Sequence, residues 1–312
     1  MCECSVGIDT SNYTTSAALF DGTQVLRNGK KLLPVKQGEK GLRQSDAVFH
    51  HVRQLPQVLG PLLEELPQPP AVLGVSVSPT GEEGSYMPCF LVGKNTGELL
   101  GKAWGIPVEP FSHQQGHLGA ALYSAGKLDL LDQSFLAFHV SGGTTEALLV
   151  TPDREGIPQP RRVAGSLDLK AGQAVDRVGV MLGLPFPCGP ALEKLALAWE
   201  GKITYRPVLK GNDCSLSGIE NQCRALLERG APPQEIARYC LEAIAAVLDR
   251  MCEGLLREWG PLPVVFSGGV CSNSLLRKRL GDKYGAWFAA PEFSWDNAAG
   301  VAVLAWKKRF GR

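Results

Sequence analysis

The stretch FLAFHVSGGTTEALLV, residues 135–150, decides the fold class of this chain. An apolar segment runs into a polar turn at residues 141–143, and a second apolar segment returns through residues 144–150, which is the pattern of a β-hairpin. Near the amino terminus, residues 6–9 run into the turn Thr10-Ser11-Asn12 and return through TTSAALF, residues 14–20. The repeat predicts two copies of one unit, each presenting a polar turn to a shared cleft. Chance similarity of two hairpins is the alternative.

The rest of the chain alternates between predicted strands and helices. Apolar runs predict strands at residues 71–77, 106–108 and 263–266, and three prolines predict a loop at 151–160, directly after the second hairpin. Helical periodicity is found at residues 48–66, 90–104, 169–184, 191–200, 216–229 and 233–259. Strands that alternate with helices predict an α/β architecture with a parallel or mixed sheet.

The composition limits the function classes. The 312 residues are 44% hydrophobic and 20% charged, which is enough for two ordinary domains or one large α/β unit. The start has no secretory pattern and no long apolar run occurs, so we expect a soluble cytoplasmic protein without a membrane contact. Nine scattered cysteines predict reduced thiols. The net charge of +1 gives no support for nucleic acid as a dominant partner, and basic clusters such as residues 27–36 are typical of solvated faces.

A histidine pair is the strongest chemical signal. In FSHQQGH, residues 111–117, His113 and His117 are four residues apart and would share one face of a helix, where they could bind one metal ion. Gly116 weakens that helix. Packing or capping at a helix start is the alternative for both histidines. A metallopeptidase is excluded because Gln114 stands where H-E-x-x-H enzymes have their catalytic glutamate.

Two further motifs lie near the end of the chain. Asp296, near the start of an alanine-rich terminal helix, is the best candidate for a carboxylate ligand to complete the histidine site, although it could instead cap that helix. The second motif, SGGV at residues 267–270, follows a predicted strand and precedes a helix start at 271–277. Its glycines let a ligand approach, and the helix N-terminus offers N–H groups to an anion.

Together these pieces resemble the family of bacterial TsaD and archaeal and eukaryotic Kae1, the tRNA threonylcarbamoyladenosine transferases. The resemblance runs from residue 6 to about residue 302. The motifs that carry it are the pair His113 and His117, VSGG at 140–143, AGQAVDR at 171–177, LGLPFPCGP at 182–190, SLSG at 215–218, SGGVCSN at 267–273 and DNAA at 296–299.

The resemblance implies the actin/Hsp70/sugar-kinase fold, with two duplicated α/β lobes around a nucleotide cleft. Residues 1–110, completed by a helix at 296–312, would form the N-terminal lobe, and residues 111–295 the C-terminal lobe. One iron or zinc ion would be bound by His113, His117 and Asp296. We take Asp9 as the candidate catalytic residue. The adenylate would be bound by His139, Val140, Ser141, Gly142, Gly143, Asp176, Gly189 and Asn273.

The implied reaction moves a threonylcarbamoyl group from its adenylate to N6 of adenosine 37 in tRNAs that read ANN codons. Its cofactors would be the metal and an adenine nucleotide, namely threonylcarbamoyl-AMP, ATP or AMP. The expected partners are tRNA, reached directly or through other proteins, and TsaB-like and TsaE-like proteins. A homodimer is left open.

The departures from the family pattern lie mainly in the N-terminal lobe. The acidic pair of the first turn is missing at residues 12–14, and the family's Pro-Glu-x-Ala-Ser-Arg-x-His segment has neither the glutamate nor the arginine at residues 44–51. A Gly-Pro-Gly turn is missing around residues 81–87, and Thr144 replaces the histidine after Ser-Gly-Gly. Two alternatives therefore stay open: a paralogue that moves a carbamoyl-type group to another acceptor, and a noncatalytic ATP-binding partner of the same fold.

Overall fold

The computed structural model describes residues 2–34 and 42–311. Residues 35 and 36 of the basic cluster at 27–36 therefore lie outside the described residues. The strands are β1 (Cys2–Thr10), β2 (Thr14–Phe20), β3 (Val25–Leu32), β4 (Pro70–Ser78), β5 (Val108–Ser112), β6 (Phe135–Val140), β7 (Thr145–Pro152), β8 (Pro158–Gly165), β9 (Leu209–Lys210), β10 (Asp213–Cys214), β11 (Val264–Ser267) and β12 (Trp287–Phe288). The helices are α1 (Gln44–Glu64), α2 (Phe90–Trp104), α3 (His113–Ser124), α4 (Ala171–Met181), α5 (Gly189–Leu197), α6 (Ser217–Glu228), α7 (Pro233–Trp259), α8 (Ser274–Tyr284) and α9 (Ala299–Phe310).

The chain divides into two units, each with its own five-stranded sheet. Unit 1 consists of Met1–Gln133, Thr151–Pro160 and Glu292–Arg312, and unit 2 of Ser134–Val150 and Arg161–Pro291. The sheet order is β3-β2-β1-β4-β5 in unit 1 and β8-β7-β6-β11-β12 in unit 2. In each sheet the first hairpin is antiparallel and the next two strands are parallel to its first strand. The two units therefore have the same topology.

The register of the two hairpins also agrees. The last pair before the turn is Thr10 with Thr15 in unit 1 and Val140 with Thr145 in unit 2. The pair before it joins Asp9 to Ser16 in unit 1, and the corresponding pair in unit 2 begins with His139. The repeat seen in the sequence is thus a structural duplication, and chance similarity of the two hairpins is excluded.

The first strand of unit 1 is buried on both faces. Val6 and Ile8 lie in one apolar cluster with Leu55 and Leu59 of α1. On the other face, a Cβ atom on Gly7 would lie 2.4 Å from the Ala298 carbonyl oxygen, so only glycine allows the chain to pass this close. Because side chains alternate along a strand, β1 is buried between helices on both sides.

Helix α3 packs tightly against α9. A Cβ atom on Gly300 would lie 1.8 Å from the Gly116 carbonyl oxygen, and one on Gly119 would lie 2.8 Å from the Gly300 carbonyl oxygen. Gly116, the predicted weak point of α3, is therefore where the two helices approach most closely. This packing places α3 in unit 1, whereas the boundary predicted at residue 110 assigned it to the C-terminal lobe.

Other differences from the sequence-based elements have simple causes. The predicted loop at residues 151–160 includes the end of β7 and the start of β8, and β3 was not predicted. Both β3 and β8 are edge strands with many exposed polar side chains, so they lack the apolar run of a buried strand. In residues 2–34 and 42–311, none of the helices combines the length and the apolar character that crossing a bilayer requires.

Candidate metal centre and glycine turns

The start of α3 fixes the direction of the two histidines. The Ser112 hydroxyl accepts a hydrogen bond from the Gln115 backbone N–H at 3.2 Å, and the Gln115 side-chain oxygen accepts one from the Ser112 N–H at 2.8 Å. This reciprocal cap makes the helix begin at His113. His117 lies one turn later, and the Nε2 atoms of the two rings are 3.0 Å apart. The predicted helical pair is therefore present.

Asp296 faces both rings. Its Oδ1 atom lies 3.5 Å from His113 Nε2 and 3.3 Å from His117 Nε2. The terminal helix begins only at Ala299, whose N–H donates to the Asn297 side chain at 3.0 Å. Asn297 therefore performs the capping that the sequence left open for Asp296. The Asp296 carboxylate is directed toward the histidines instead.

The three donor atoms have the spacing of a metal site. The triangle between the two Nε2 atoms and the Asp296 Oδ1 atom has sides of 3.0, 3.3 and 3.5 Å. Metal–ligand bonds of about 2.0 to 2.2 Å place ligand atoms about 3.3 to 3.6 Å apart in a tetrahedron and about 2.8 to 3.1 Å apart in an octahedron. Two imidazoles and a carboxylate are typical zinc or non-haem iron ligands. The residues fit the ion that the resemblance implies.

Asp9 lies behind the first histidine. Its carboxylate is 1% exposed, and its Oδ2 atom is 2.8 Å from His113 Nδ1 and accepts a short hydrogen bond from the Ser76 hydroxyl. Its Oδ1 atom accepts the Ser11 backbone N–H at 2.9 Å. A carboxylate beside Nδ1 holds the proton on that nitrogen, so Nε2 is the ring atom left to bind a metal ion. Asp9 thus contacts the candidate ligand His113 through Nδ1, the ring nitrogen that does not face Asp296.

The turn between β1 and β2 contacts Asp296 through hydroxyl groups. Ser11 donates to Asp296 Oδ2 at 3.0 Å and Thr14 to the same oxygen at 3.3 Å. This is the turn in which the family's acidic pair is missing. In this chain the turn contacts the Asp296 carboxylate through neutral hydroxyl donors.

The histidines and carboxylates of this cluster shift one another's pKa. Burial disfavours the charged form of His113, but the negative charges and hydrogen bonds of Asp9 and Asp296 outweigh it and raise the pKa of His113 well above its usual value. Burial also disfavours the charged form of Asp296, yet the hydrogen bonds from His113 and His117 hold the pKa of Asp296 well below its usual value. Without an ion His113 therefore favours its protonated form, and a bound metal ion would replace the proton on its Nε2 atom.

In unit 2, the second hairpin turn is closed by Ser141. Its backbone N–H donates to the Thr144 carbonyl at 2.7 Å, and its hydroxyl accepts the Thr144 N–H at 3.1 Å. Gly142 and Gly143 are exposed, and a Cβ atom on either would meet nothing within 4 Å. The N–H of Gly172, near the start of α4, donates to the Ser141 carbonyl at 3.1 Å. The turn is therefore fixed in place but open on its glycine side.

The strand before this turn contributes two of the predicted adenylate residues. His139 Nδ1 is 3.1 Å from the Ser267 hydroxyl, across the pair that joins β6 to β11. The neighbouring Val140 is fully buried, and a Cβ atom on Gly268 would lie 2.3 Å from its carbonyl oxygen. The side chain of Val140 is therefore a core residue, and Gly268 is required for close packing.

Asp176 contacts the residue that precedes Gly189 at the start of α5. Asp176 Oδ1 accepts the backbone N–H of Cys188 at 2.9 Å, and Gly189 is the first residue of the helix. From the resemblance, Asp176 was predicted to bind the adenylate. In the structure its Oδ1 atom also stabilises the loop that leads into α5.

Asn273 is a helix cap. Its side-chain oxygen accepts the N–H groups of Leu275 at 3.1 Å and Leu276 at 3.3 Å, and Glu193 accepts the Ser274 N–H at 2.7 Å. The expectation that this helix start leaves free N–H groups for an anion is wrong for residues 274–276, because each of these amides already has an acceptor. Asparagine is a favoured cap residue, so sequence could have indicated this role, whereas Glu193 gave no signal.

The predicted site residues divide between the units. Asp9, His113, His117 and Asp296 belong to unit 1, where the structure brings them together. The eight predicted adenylate residues all belong to unit 2.

Comparison with known proteins identifies the family. The sequence model of TsaD, tRNA N6-adenosine threonylcarbamoyltransferase, matches residues 37–303. Among solved structures, component A of the (R)-2-hydroxyglutaryl-CoA dehydratase of Acidaminococcus fermentans is 19% identical, with 98% of each chain covered and a TM-score of 0.55. Full-length HypF is 14% identical over 97% of this chain and 55% of its own, with a TM-score of 0.59. A ROK family glucokinase from Streptomyces griseus is 12% identical over 97% of this chain and 99% of its own, with a TM-score of 0.54.

These structural likenesses, together with the duplicated sheets, establish the actin-like ATPase fold that was predicted. The family match spans most of the sequence and includes both histidines and Asp296. The chain therefore belongs to the TsaD family.

Proposed function

We propose that this protein is a metal-dependent transferase that moves a threonylcarbamoyl group from its adenylate to N6 of adenosine 37 in ANN-decoding tRNA. The observation that carries the proposal is the triangle of His113, His117 and Asp296, supported by Asp9. These residues would hold one zinc or iron ion, and the open positions of the ion would bind and polarise the substrate.

The protein's own residues would prepare this site in two ways. Asp9 would keep the proton of His113 on Nδ1, so that Nε2 stays available to the ion. The hydroxyls of Ser11 and Thr14 would orient the Asp296 carboxylate. Asp9 would thereby act as a positioning residue, which replaces the catalytic role first considered for it.

The adenylate would be held by unit 2. The exposed glycine turn at residues 142–143 suits the phosphate of threonylcarbamoyl-AMP, ATP or AMP. Asp176 keeps a second carboxylate oxygen that would accept a ribose hydroxyl. Among the proteins with this fold, HypF was solved in a phosphate- and nucleotide-bound form and the glucokinase with AMPPNP, which supports an adenine nucleotide as the ligand.

The metal centre is tested by removing its ligands. The variants His113→Ala and His117→Ala, purified after growth with zinc or iron, should carry little metal, whereas His50→Ala should keep the wild-type content because His50 lies outside the cluster. Elemental analysis measures the ratio of metal to protein. A double variant of His113 and His117 with full metal content would rule out the site.

Transfer is tested with defined substrates. The purified chain receives preformed threonylcarbamoyl-adenylate and an ANN-decoding tRNA, alone and with TsaB-like and TsaE-like proteins, and the modified nucleoside is measured by mass spectrometry. We expect slow transfer by the isolated chain and faster transfer with the partners, because a net charge of +1 gives little attraction for tRNA. An absence of product under every condition would contradict the proposed acceptor.

One observation favours a second candidate. The turn whose Ser11 and Thr14 hydroxyls contact Asp296 lacks the family's acidic pair at residues 12–14. A paralogue that moves a carbamoyl-type group to another acceptor would keep the metal and nucleotide residues and lose those of the acceptor side. Such a protein would bind metal and nucleotide normally but would fail to restore the tRNA modification in cells that lack the true enzyme.

A further inference from the structure

A buried histidine outside the metal cluster is connected to it through one residue. His51, on the inner face of α1, is 0% exposed. Its Nδ1 atom lies 2.8 Å from the Thr15 hydroxyl and its Nε2 atom 2.8 Å from the Ser11 carbonyl oxygen. Burial, opposed only in part by the hydrogen bond to Ser11 and the charge of Asp9, lowers the pKa of His51, so the ring is neutral.

The roles of the two ring nitrogens follow from their partners. A carbonyl oxygen only accepts hydrogen bonds, so the Nε2 atom of His51 carries the proton and donates to Ser11. Nδ1 is then the acceptor, and it shares the single hydroxyl hydrogen of Thr15 with the Gln54 side-chain oxygen, which is 2.9 Å from that hydroxyl. His51 therefore makes one bond that reaches the first turn and one that stays within the packing of α1 on β2.

Ser11 is the residue that transmits this contact. Its carbonyl faces His51, its N–H donates to Asp9 Oδ1 at 2.9 Å, and its hydroxyl donates to Asp296 Oδ2 at 3.0 Å. The carbonyl, the N–H and the hydroxyl of Ser11 thus each have a partner. Of these partners, Asp296 belongs to the metal cluster and Asp9 supports it. Asp296 itself precedes α9 and has no helical hydrogen bonding to fix its direction.

We propose that His51 is a positioning residue of the metal centre, which fixes the Ser11 backbone so that the Ser11 hydroxyl orients the Asp296 carboxylate. The inference rests on the proposed metal site. Outer residues that orient ligands change metal affinity by about 10- to 100-fold when they are replaced. The bond from His51 to Ser11 carries the effect, and the bond to Thr15 does not.

Three substitutions separate the two bonds. In His51→Gln the amide nitrogen reaches the position of Nε2 and keeps the donor for Ser11. In His51→Asn the shorter amide reaches only the position of Nδ1, so the bond to Ser11 is lost while a polar group still faces Thr15. Thr15→Val removes the hydroxyl and leaves the bond from His51 to Ser11 in place.

The probe is Co(II) alone, added to the metal-free full-length protein and followed by its visible d–d absorption, with thermal melting as a check on folding. His51→Asn should weaken Co(II) binding about 10- to 100-fold, while His51→Gln and Thr15→Val should stay within a few fold of wild type. Wild-type affinity and an unchanged spectrum in His51→Asn would overturn the role of His51. So would a loss of about 10-fold or more in Thr15→Val, a result that decides the case even if His51→Asn does not fold. A wild-type protein that shows no Co(II) spectrum would overturn the metal centre itself.

Discussion

The Asp9 carboxylate and the Nδ1 atom of His113 are 2.8 Å apart, which joins the end of β1 to the start of α3. In unit 2 the duplicated position of Asp9 is occupied by His139, whose Nδ1 atom faces Ser267 as Asp9 faces Ser76. The two copies thus keep a polar pair at the same strand ends. In unit 1 this pair contacts a candidate metal ligand, His113.

This relationship predicts the effect of removing the charge of Asp9. Asp9→Asn keeps the size of the side chain but takes away the negative charge that holds the His113 proton on Nδ1, so metal affinity should fall about 10- to 100-fold. Ser76→Ala is the matched control, because it removes another donor to the same carboxylate and leaves the charge, and it should change affinity by only a few fold. Competition with a chromophoric chelator measures both. Equal affinity in Asp9→Asn and wild type would mean that the carboxylate does not support the metal.

Asp176 requires a variant that separates its two proposed tasks. Asp176→Asn still offers a carbonyl oxygen to the Cys188 N–H but no longer has a charge for a ribose hydroxyl. We expect AMP and ATP affinity, measured by calorimetry, to fall by about 1.5 to 3 kcal/mol, the range for a hydrogen bond to a charged group. The melting temperature should change little. Unchanged affinity would leave Asp176 with its structural task alone.

The sequence predicted the duplication and the histidine pair because both depend on local periodicity. TTSAALF in residues 14–20 coincides with β2, and the i, i+4 spacing of His113 and His117 survives in α3. It could not predict the position of α3 in unit 1, which depends on the fit of Gly116 against the distant Gly300. The link from Asp9 to His113 was equally hidden, because the residues that make it are far apart in the chain.

The contact between α3 and α9 makes Gly300 a sensitive position. Gly300→Ala would press a methyl group into the Gly116 carbonyl and the Ala120 N–H, at 1.8 and 2.4 Å before any adjustment, so α3 and α9 must separate. We expect a loss of about 3 kcal/mol in the free energy of unfolding, the upper part of the usual range for overpacking. The control is Gly60→Ala in α1, where a Cβ atom would meet nothing within 4 Å, and it should gain about 0.5 to 1 kcal/mol. Urea unfolding compares the two, and a Gly300→Ala variant as stable as wild type would contradict the close approach of these helices.

Asp249 should make the stability of unit 2 depend on pH. This residue, on α7, accepts hydrogen bonds from Arg279 at 2.9 Å, Lys283 at 2.6 Å and the Tyr284 hydroxyl at 2.6 Å, all on α8. Burial alone would raise the pKa of Asp249, but the hydrogen bonds from Lys283, Tyr284 and Arg279 outweigh it and lower the pKa below its ordinary value of 3.8.

Because the folded protein holds this carboxylate ionised more strongly than the unfolded chain does, Asp249 stabilises the fold fully above the unfolded pKa of 3.8 and loses its contribution as the pH falls through the folded pKa. Asp249→Asn should therefore cost about 2 kcal/mol at pH 7, less than a fully buried ion pair because both cations are partly exposed. Below about pH 4 the difference between variant and wild type should shrink. Chemical denaturation from pH 3 to pH 8 measures this difference in the free energy of unfolding. The control is Asp282→Asn on α8, at a position outside this cluster. A difference that stays constant across this range would show that the charge of Asp249 does not hold α7 to α8.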